Sequence, residues 1–132
     1  MAFEKTSMDE TAAVEDLFIE VDGAHIHYQK AGSGPPLVLI HGLVGSARNW
    51  HRNIGELAHD ATVYAIDLLN MGESDRIPGL DASLKSTVDT IDRWMEALGI
   101  PLADVAAVSH GGALAMMLAA RHPERVPRPT GN

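Results

Sequence analysis

An unbroken apolar run, Leu37-Val38-Leu39-Ile40, constrains the fold more than any other feature of this chain. Because the run does not alternate with polar residues, a strand made from it is apolar on both faces. Such strands occur in parallel sheets that are covered on both sides. The glycines and prolines of residues 32–36 break the chain just before it. Two further short apolar runs, at residues 62–66 and 105–108, predict more strands of the same sheet.

The segment before the first glycine-rich stretch indicates a β-hairpin. Residues 17–21 and 24–28 each alternate apolar and other side chains, and Asp22-Gly23 lies between them. An Asp-Gly pair between two alternating runs is typical of a two-residue hairpin turn.

Apolar residues recur at helical spacing in three segments, at residues 50–58, 84–98 and 111–122. Ser83 is predicted to cap the second helix, and Gly99 to end it. Strands that alternate with helices imply right-handed crossovers, so the expected fold is α/β, with an N-terminal hairpin followed by parallel strands and crossover helices. Ligands are then expected at the carboxyl ends of the strands, in the loops after Ile40, Ile66 and Val108.

Composition excludes several classes of function. The length of 132 residues predicts one domain. A formal net charge of −8 has the wrong sign for binding nucleic acid or an anionic membrane surface. The chain has no cysteine, which excludes disulfides and thiolate metal sites. No signal peptide is evident and no apolar run is long enough to cross a bilayer, so a cytoplasmic location is expected.

A serine stands where the third parallel strand is predicted to meet the last helix. The segment Ala107-Val108-Ser109-His110-Gly111 fits the G-x-S-x-G pattern with alanine in the first place. This pattern resembles a nucleophile elbow, which exposes the serine hydroxyl above the sheet. The amide of His110, at the helix N-terminus, could then donate to an oxyanion. The alternative is a serine that merely caps the helix.

Two more motifs follow the other strands. His41-Gly42 comes directly after the Leu37–Ile40 run, and residues 67–75 read Asp-Leu-Leu-Asn-Met-Gly-Glu-Ser-Asp. Together with the elbow, these motifs resemble the H-G turn and the D-x-x-G-x-G-x-S loop of the α/β-hydrolase superfamily, with Asn70 in place of a glycine. The resemblance runs from about Phe18 to Val126.

The resemblance implies a site and a chemistry. Ser109 would be the catalytic nucleophile, and the backbone amides of Leu43 and His110 would form the oxyanion hole. His41, Gly42 and Gly111 would support these loops. The implied substrate is a small-molecule ester or related acyl compound, and no cofactor or metal is implied. A serine rather than an aspartate at position 109 argues against the haloalkane dehalogenase and epoxide hydrolase branches. Esterase, carbon–carbon bond hydrolase and cofactor-free haloperoxidase stay open.

The chain departs from the family after the serine. A complete member has about 250 residues as one domain, so we expect residues 17–126 to be the N-terminal half, preceded by a flexible acidic arm at 1–16 and followed by a non-family tail at 127–132. The triad acid and histidine should follow the serine, but only Glu124, His110 and His122 do. The expectation is a truncated, frameshifted or deliberately cut hydrolase, weak or inactive by itself.

The other histidines and the sheet edge have alternative interpretations. His110 is expected to line a pocket rather than act as a base, and His41 to stabilise its own loop. His25 and His27 are expected to be packing or surface residues rather than metal ligands. An alternative function is a non-catalytic interaction module that completes its sheet with another chain. Self-association through an open edge at residues 105–108 is also expected.

Overall fold

The computed structural model describes residues 13–127, which form a five-stranded mixed sheet with helices on both faces. The strands lie in the order β1-β2-β4-β3-β5. The strands are β1 (Glu15–Val21), β2 (Ala24–Ala31), β3 (Pro36–Ile40), β4 (Thr62–Ile66) and β5 (Asp104–Ala107). The helices are a 3-10 helix (Ala47–Trp50), α1 (Ile54–Leu57), α2 (Leu84–Leu98) and α3 (His110–Arg121).

The sheet confirms the predicted partial α/β-hydrolase architecture. β1 and β2 form the antiparallel hairpin, and Asp22 and Gly23 both take positive φ angles, of 51° and 85°, at its turn. β2 pairs antiparallel with β4, whereas β3 pairs parallel with both β4 and β5. The predicted central run therefore lies between two strands, and Val38, Leu39 and Ile40 are fully buried.

Two boundaries differ from those predicted. β1 begins at Glu15, so the last two residues of the expected acidic arm belong to the sheet, and residues 1–12 lie outside the described part of the chain. The expected helix at 50–58 is instead a 3-10 helix followed by the single turn α1. The side chains of Ser46 and Asn49 close the 3-10 turn as a capping box. Asn53 and Gly55, both poor helix formers, follow it.

The sheet buries a different core on each face. The larger core packs α2 and α3 against the sheet around Trp94, Met95 and Leu114, all fully buried. The smaller core lies on the opposite face and includes Leu39 and Ile54. None of the helices in residues 13–127 is long and apolar enough to cross a membrane.

Ion pairs fasten the end of α3 to α2. Arg121 donates two hydrogen bonds to the Asp89 carboxylate, at 3.0 and 2.9 Å, and the His122 Nε2 lies 2.9 Å from Asp89 Oδ1. Arg125, which is nearly buried, donates from Nε to Asp92 at 2.7 Å. Residues 121–125, which the sequence assigned to the family only by resemblance, therefore hold α3 against α2.

The Asp89 cluster should make stability depend on pH. Hydrogen bonds from Arg121 and then His122 lower the pKa of Asp89 from 3.8 to about 2. A carboxyl group with a lower pKa in the folded state stabilises it above the unfolded pKa, and that contribution is lost as pH falls from about 4 toward 2. We expect Asp89→Asn to lower the free energy of unfolding, measured by urea titration, by about 1 kcal/mol at neutral pH. Below pH 4, the free energy of unfolding should fall less steeply with pH in the variant than in the unmodified chain. The control is Asp60→Asn, since Asp60 is exposed and makes no ion pair within residues 13–127. An equal effect of the two variants would contradict the assignment.

Candidate active site

Ser109 occupies a strained backbone position between β5 and α3. Its φ and ψ are 55° and −126°, a combination that residues other than glycine rarely adopt. Such strain costs of order 1–3 kcal/mol and persists only where the surroundings impose it. The side chain is exposed and makes no capping hydrogen bond to α3. The alternative interpretation of Ser109 as a helix-capping serine is therefore wrong.

The surroundings that impose this conformation are the ends of β3 and α3. A Cβ atom on Gly111 would lie 2.5 Å from the Ile40 carbonyl oxygen and 2.7 Å from that of His41. Only glycine lets the first turn of α3 come this close to the strand. The predicted role of Gly111 as a supporting residue agrees with this packing.

The turn after β3 lies beside the serine. A Cβ on Gly42 would be 3.3 Å from the Ser109 Cβ and 3.7 Å from its Oγ. The Gly45 amide donates to the Gly42 carbonyl at 3.1 Å, which closes a tight turn with Leu43 and Val44 at its tip. Val44 has φ of 58° and is 94% exposed, so this turn is strained as well.

Two backbone amides near Ser109 have no partner. Within residues 13–127, neither the Leu43 nor the His110 N–H donates a hydrogen bond. The His110 amide opens α3, where the first amides of a helix lack intrahelical acceptors. Leu43 follows Gly42, which packs against Ser109, and His110 is the next residue after Ser109, so the three residues that the resemblance implied lie in one part of the structure.

His41 is a structural histidine. It is fully buried, its Nδ1–H donates to the Gly42 carbonyl at 2.6 Å, and its Nε2 accepts from the Leu68 amide at 3.1 Å. Burial lowers the pKa of His41, with nearby His110 acting in the same direction, while the Gly42 hydrogen bond and Asp67 oppose the shift. A neutral ring with both nitrogens engaged joins the turn to the end of β4 and has no nitrogen left for proton transfer.

His110 faces a cavity rather than the serine. Its half-buried ring lines an apolar cavity together with Leu43. Among residues 13–127, no hydrogen bond joins its ring to Ser109. This agrees with the expected pocket-lining role.

The sequence missed a buried network beneath these loops. His27 is fully buried, with Nδ1 2.7 Å from Asp67 Oδ2 and Nε2 2.8 Å from Asp16 Oδ1. The Gln29 side chain donates to Asp16 at 3.1 Å, and this bond is the main cause of the lowered pKa of Asp16. The expectation that His25 and His27 are packing or surface residues fits exposed His25 and buried His27, but it overlooked the hydrogen bonds between His27 and the two carboxylates.

Asp67 is the centre of that network. Its Oδ1 accepts the Ala47 amide at 2.6 Å, and its Oδ2 accepts the Glu73 amide at 2.8 Å. A Cβ on Gly72 would lie 2.1 Å from the Asp67 carboxylate, so glycine is required there. Asn70 takes a φ of 68°, the left-handed conformation expected of it. The D-x-x-G-x-G-x-S resemblance was the available signal for Asp67, whereas nothing in the sequence pointed to its partner His27.

Within residues 13–127, two side-chain groups have the donor types of a metal site, and neither includes Ser109. Asp16, His27 and Glu73 form one group, but Arg48 bonds to Glu73 and lies 3.5 Å from Asp16, so a positive charge already lies there. The other group joins Asp92, His122 and Glu124, and its Asp92 is bound by Arg125.

Known proteins are similar to this chain in sequence and in fold. The family model described as the alpha/beta hydrolase fold matches residues 35–130. The chain is 38% identical over 120 residues to the dihydrolipoyllysine-residue acetyltransferase component of the acetoin cleaving system of Cupriavidus necator, which covers 89% of this chain and 32% of that protein. It is also 38% identical over 109 residues to 2-hydroxymuconate semialdehyde hydrolase of a Pseudomonas species. That match covers 80% of this chain and 38% of the relative. The solved structure of a meta-cleavage product hydrolase of Pseudomonas fluorescens superposes with a TM-score of 0.79 at 35% identity. The superposition covers 85% of this chain and 42% of the hydrolase.

The chain therefore belongs to the α/β-hydrolase fold family. It spans between 32% and 42% of the length of these three relatives. The family match reaches residue 130, beyond the predicted end of the family-like region at Val126.

The close packing at Gly111 predicts a sharp difference between neighbouring glycines. Gly111→Ala would push a methyl group into two backbone carbonyls, so we expect a loss of at least about 2 kcal/mol of stability. Gly112→Ala is the matched control, because a Cβ there meets nothing within 4 Å and alanine favours a helix by up to about 1 kcal/mol. Urea unfolding followed by circular dichroism measures both. Equal stability of the two variants would show that α3 does not press on β3 as described.

Proposed function

We propose that Ser109 is the nucleophile of an acyl-hydrolysing site whose oxyanion hole is formed by the Leu43 and His110 amides. The observation that carries this proposal is the strained, exposed Ser109 lying next to two amides that have no partner within residues 13–127. Hydrogen-bond donors that are held in place around a developing negative charge usually make the largest contribution to this kind of catalysis. The relatives named above are two hydrolases and an acetyltransferase component, and the last of these names also concerns an acyl group.

The proposed step is ordinary acyl transfer to serine. The Ser109 oxygen bonds to the carbonyl carbon of an ester while its proton passes to a base. The carbonyl oxygen becomes an oxyanion that accepts from the two amides, and the carbon–oxygen bond to the leaving group then breaks. Water releases the acyl group in the second half of the reaction. The site residues themselves supply the nucleophile and the oxyanion donors.

The base is the part that residues 13–127 do not supply. His41 has both nitrogens engaged, and His122 bonds to Asp89. Within this range, His110 makes no bond to the serine. We therefore propose that the chain by itself turns over esters weakly or not at all, and that a full site needs a histidine from elsewhere.

Serine reactivity can be separated from turnover. We expect the chain to hydrolyse p-nitrophenyl acetate no faster than Ser109→Ala, because proton removal contributes about 10²–10⁴-fold in such reactions. A fluorophosphonate probe should nevertheless label Ser109 slowly, as measured by intact mass and peptide mapping, and added imidazole should accelerate the labelling by supplying the base.

Two results would contradict this proposal in different ways. Ser109-dependent turnover without imidazole would show that His110 or His41 acts as the base. Labelling that is absent at Ser109, with and without imidazole, would remove the serine from the role of nucleophile. The Ser109→Ala variant controls for labelling at other hydroxyl groups.

A second candidate function is an interaction module that completes its sheet with another chain. Within residues 13–127, β5 pairs only with β3, so its other side is an edge. Val108, directly after β5, is 45% exposed, and Met116 of α3 is 76% exposed. Apart from exposed Asp104 at its start, β5 carries no charge and no proline, and such unpaired edges are templates for strand pairing. We propose that a second copy of this chain is the occupant, and that the protein is cytoplasmic, as its lack of cysteine suits.

A charge at the edge should weaken that association. We expect sedimentation velocity at micromolar concentration to show dimers or larger species for the chain, and a shift toward monomer for Val108→Lys. Ala97→Lys adds the same charge to an exposed position of α2 and should leave the distribution unchanged. A monodisperse monomer at all concentrations would exclude the module.

A further inference from the structure

An apolar cavity of about 50 Å³ lies between the sheet, the 67–82 loop and the first half of α2. Its walls are formed mainly by aliphatic side chains, among them Ile66, Leu68, Met71 and Leu80. At one end it is lined by Leu43 and His110, the two residues whose amides flank Ser109. A carbonyl group held between those amides would therefore have this cavity beside it.

The lining has four polar side chains, namely Asp81, Thr87, Thr90 and His110, and two of them make local hydrogen bonds. Thr90 Oγ1 donates to the Ser86 carbonyl at 3.1 Å, and Asp81 accepts the Ser83 amide at 3.0 Å. Among residues 13–127, no lysine or arginine lines the cavity, and exposed Asp81 adds a negative charge to its lining. An anionic substituent would be repelled there and would leave water without compensation.

The volume limits the size of the substituent. A water molecule occupies at least about 10–15 Å³ in this measure of cavity volume, so the cavity has room for roughly three to five non-hydrogen atoms. Burial of methylene groups in such a space is favourable, whereas longer chains would have to leave it.

We propose that this cavity is the acyl subsite of the chain and takes a short, uncharged aliphatic acyl group of about four to six carbons, counting the carbonyl carbon. The proposal rests on the function proposed for Ser109 and names its substrate class. Affinity for an isolated acyl group is expected to be in the millimolar range, because so small a ligand makes few contacts.

Binding of simple amides, two neutral and one anionic, tests the subsite without requiring catalysis. Butyramide, succinamate and octanamide are titrated into isotope-labelled Ser109→Ala, with amide chemical shifts of Leu68 and Thr90 as the readout. We expect saturable shifts with butyramide, affinity at least about tenfold weaker for succinamate because of its carboxylate, and no gain in affinity for octanamide despite its longer chain.

Two pairs of variants locate the binding. Ala82→Leu should fill the cavity and weaken butyramide by about tenfold or more, whereas Ala97→Leu, at an exposed position of the same helix region, should not. Leu80→Ala should enlarge the cavity and improve octanamide relative to butyramide, whereas Leu102→Ala, outside the cavity and 44% exposed, should not.

The outcomes separate the two proposals. No butyramide shifts, equal binding of succinamate, or matched responses of Ala82→Leu and Ala97→Leu would overturn the acyl subsite, whatever Ser109 does. Butyramide binding that follows these expectations, with no labelling of Ser109 by the fluorophosphonate, would leave the cavity as an acyl-group site and overturn the proposed nucleophile instead.

Discussion

The buried carboxylate of Asp67 is the interaction on which the site loops depend. One side chain accepts hydrogen bonds from the β2 residue His27, from the Ala47 amide after the β3 turn, and from the Glu73 amide in its own loop. A buried carboxylate is costly unless it is fully paired, and here every partner comes from a different segment. Loss of this group would therefore release three segments together.

This network determines where the turn after β3 lies. The turn is fixed at one end by Ala47, bound to Asp67, and at the other by His41, bound to the Leu68 amide. Parallel strands β3 and β5 end side by side, so a turn fixed in this way lies beside Ser109. The strain at Ser109 and Val44 is maintained by these surrounding contacts, which is how strained residues at functional sites generally persist.

Local patterns predicted the elements well where the responsible forces are local. Ser83 and Gly99 bound α2 at the predicted residues, since capping and a left-handed ending depend on one or two residues. The Asp22-Gly23 turn formed as expected for the same reason. The helix expected at residues 50–58 was wrong, because the capping box of Ser46 and Asn49 closed a 3-10 turn that apolar spacing does not reveal.

The sequence by itself determined the strand and helix order, the serine at a strand–helix junction, and the family to which that order belongs. Only the tertiary structure decided which polar groups support the site. His27 and Asp67 are separated by 40 positions in the chain, and Asp89 and Arg121 by 32. Such pairs form because the sheet order places β2 beside β4, and packing places α3 on α2. Sequence periodicity reports which face of an element is apolar, but it carries no information about which distant polar group that element will meet.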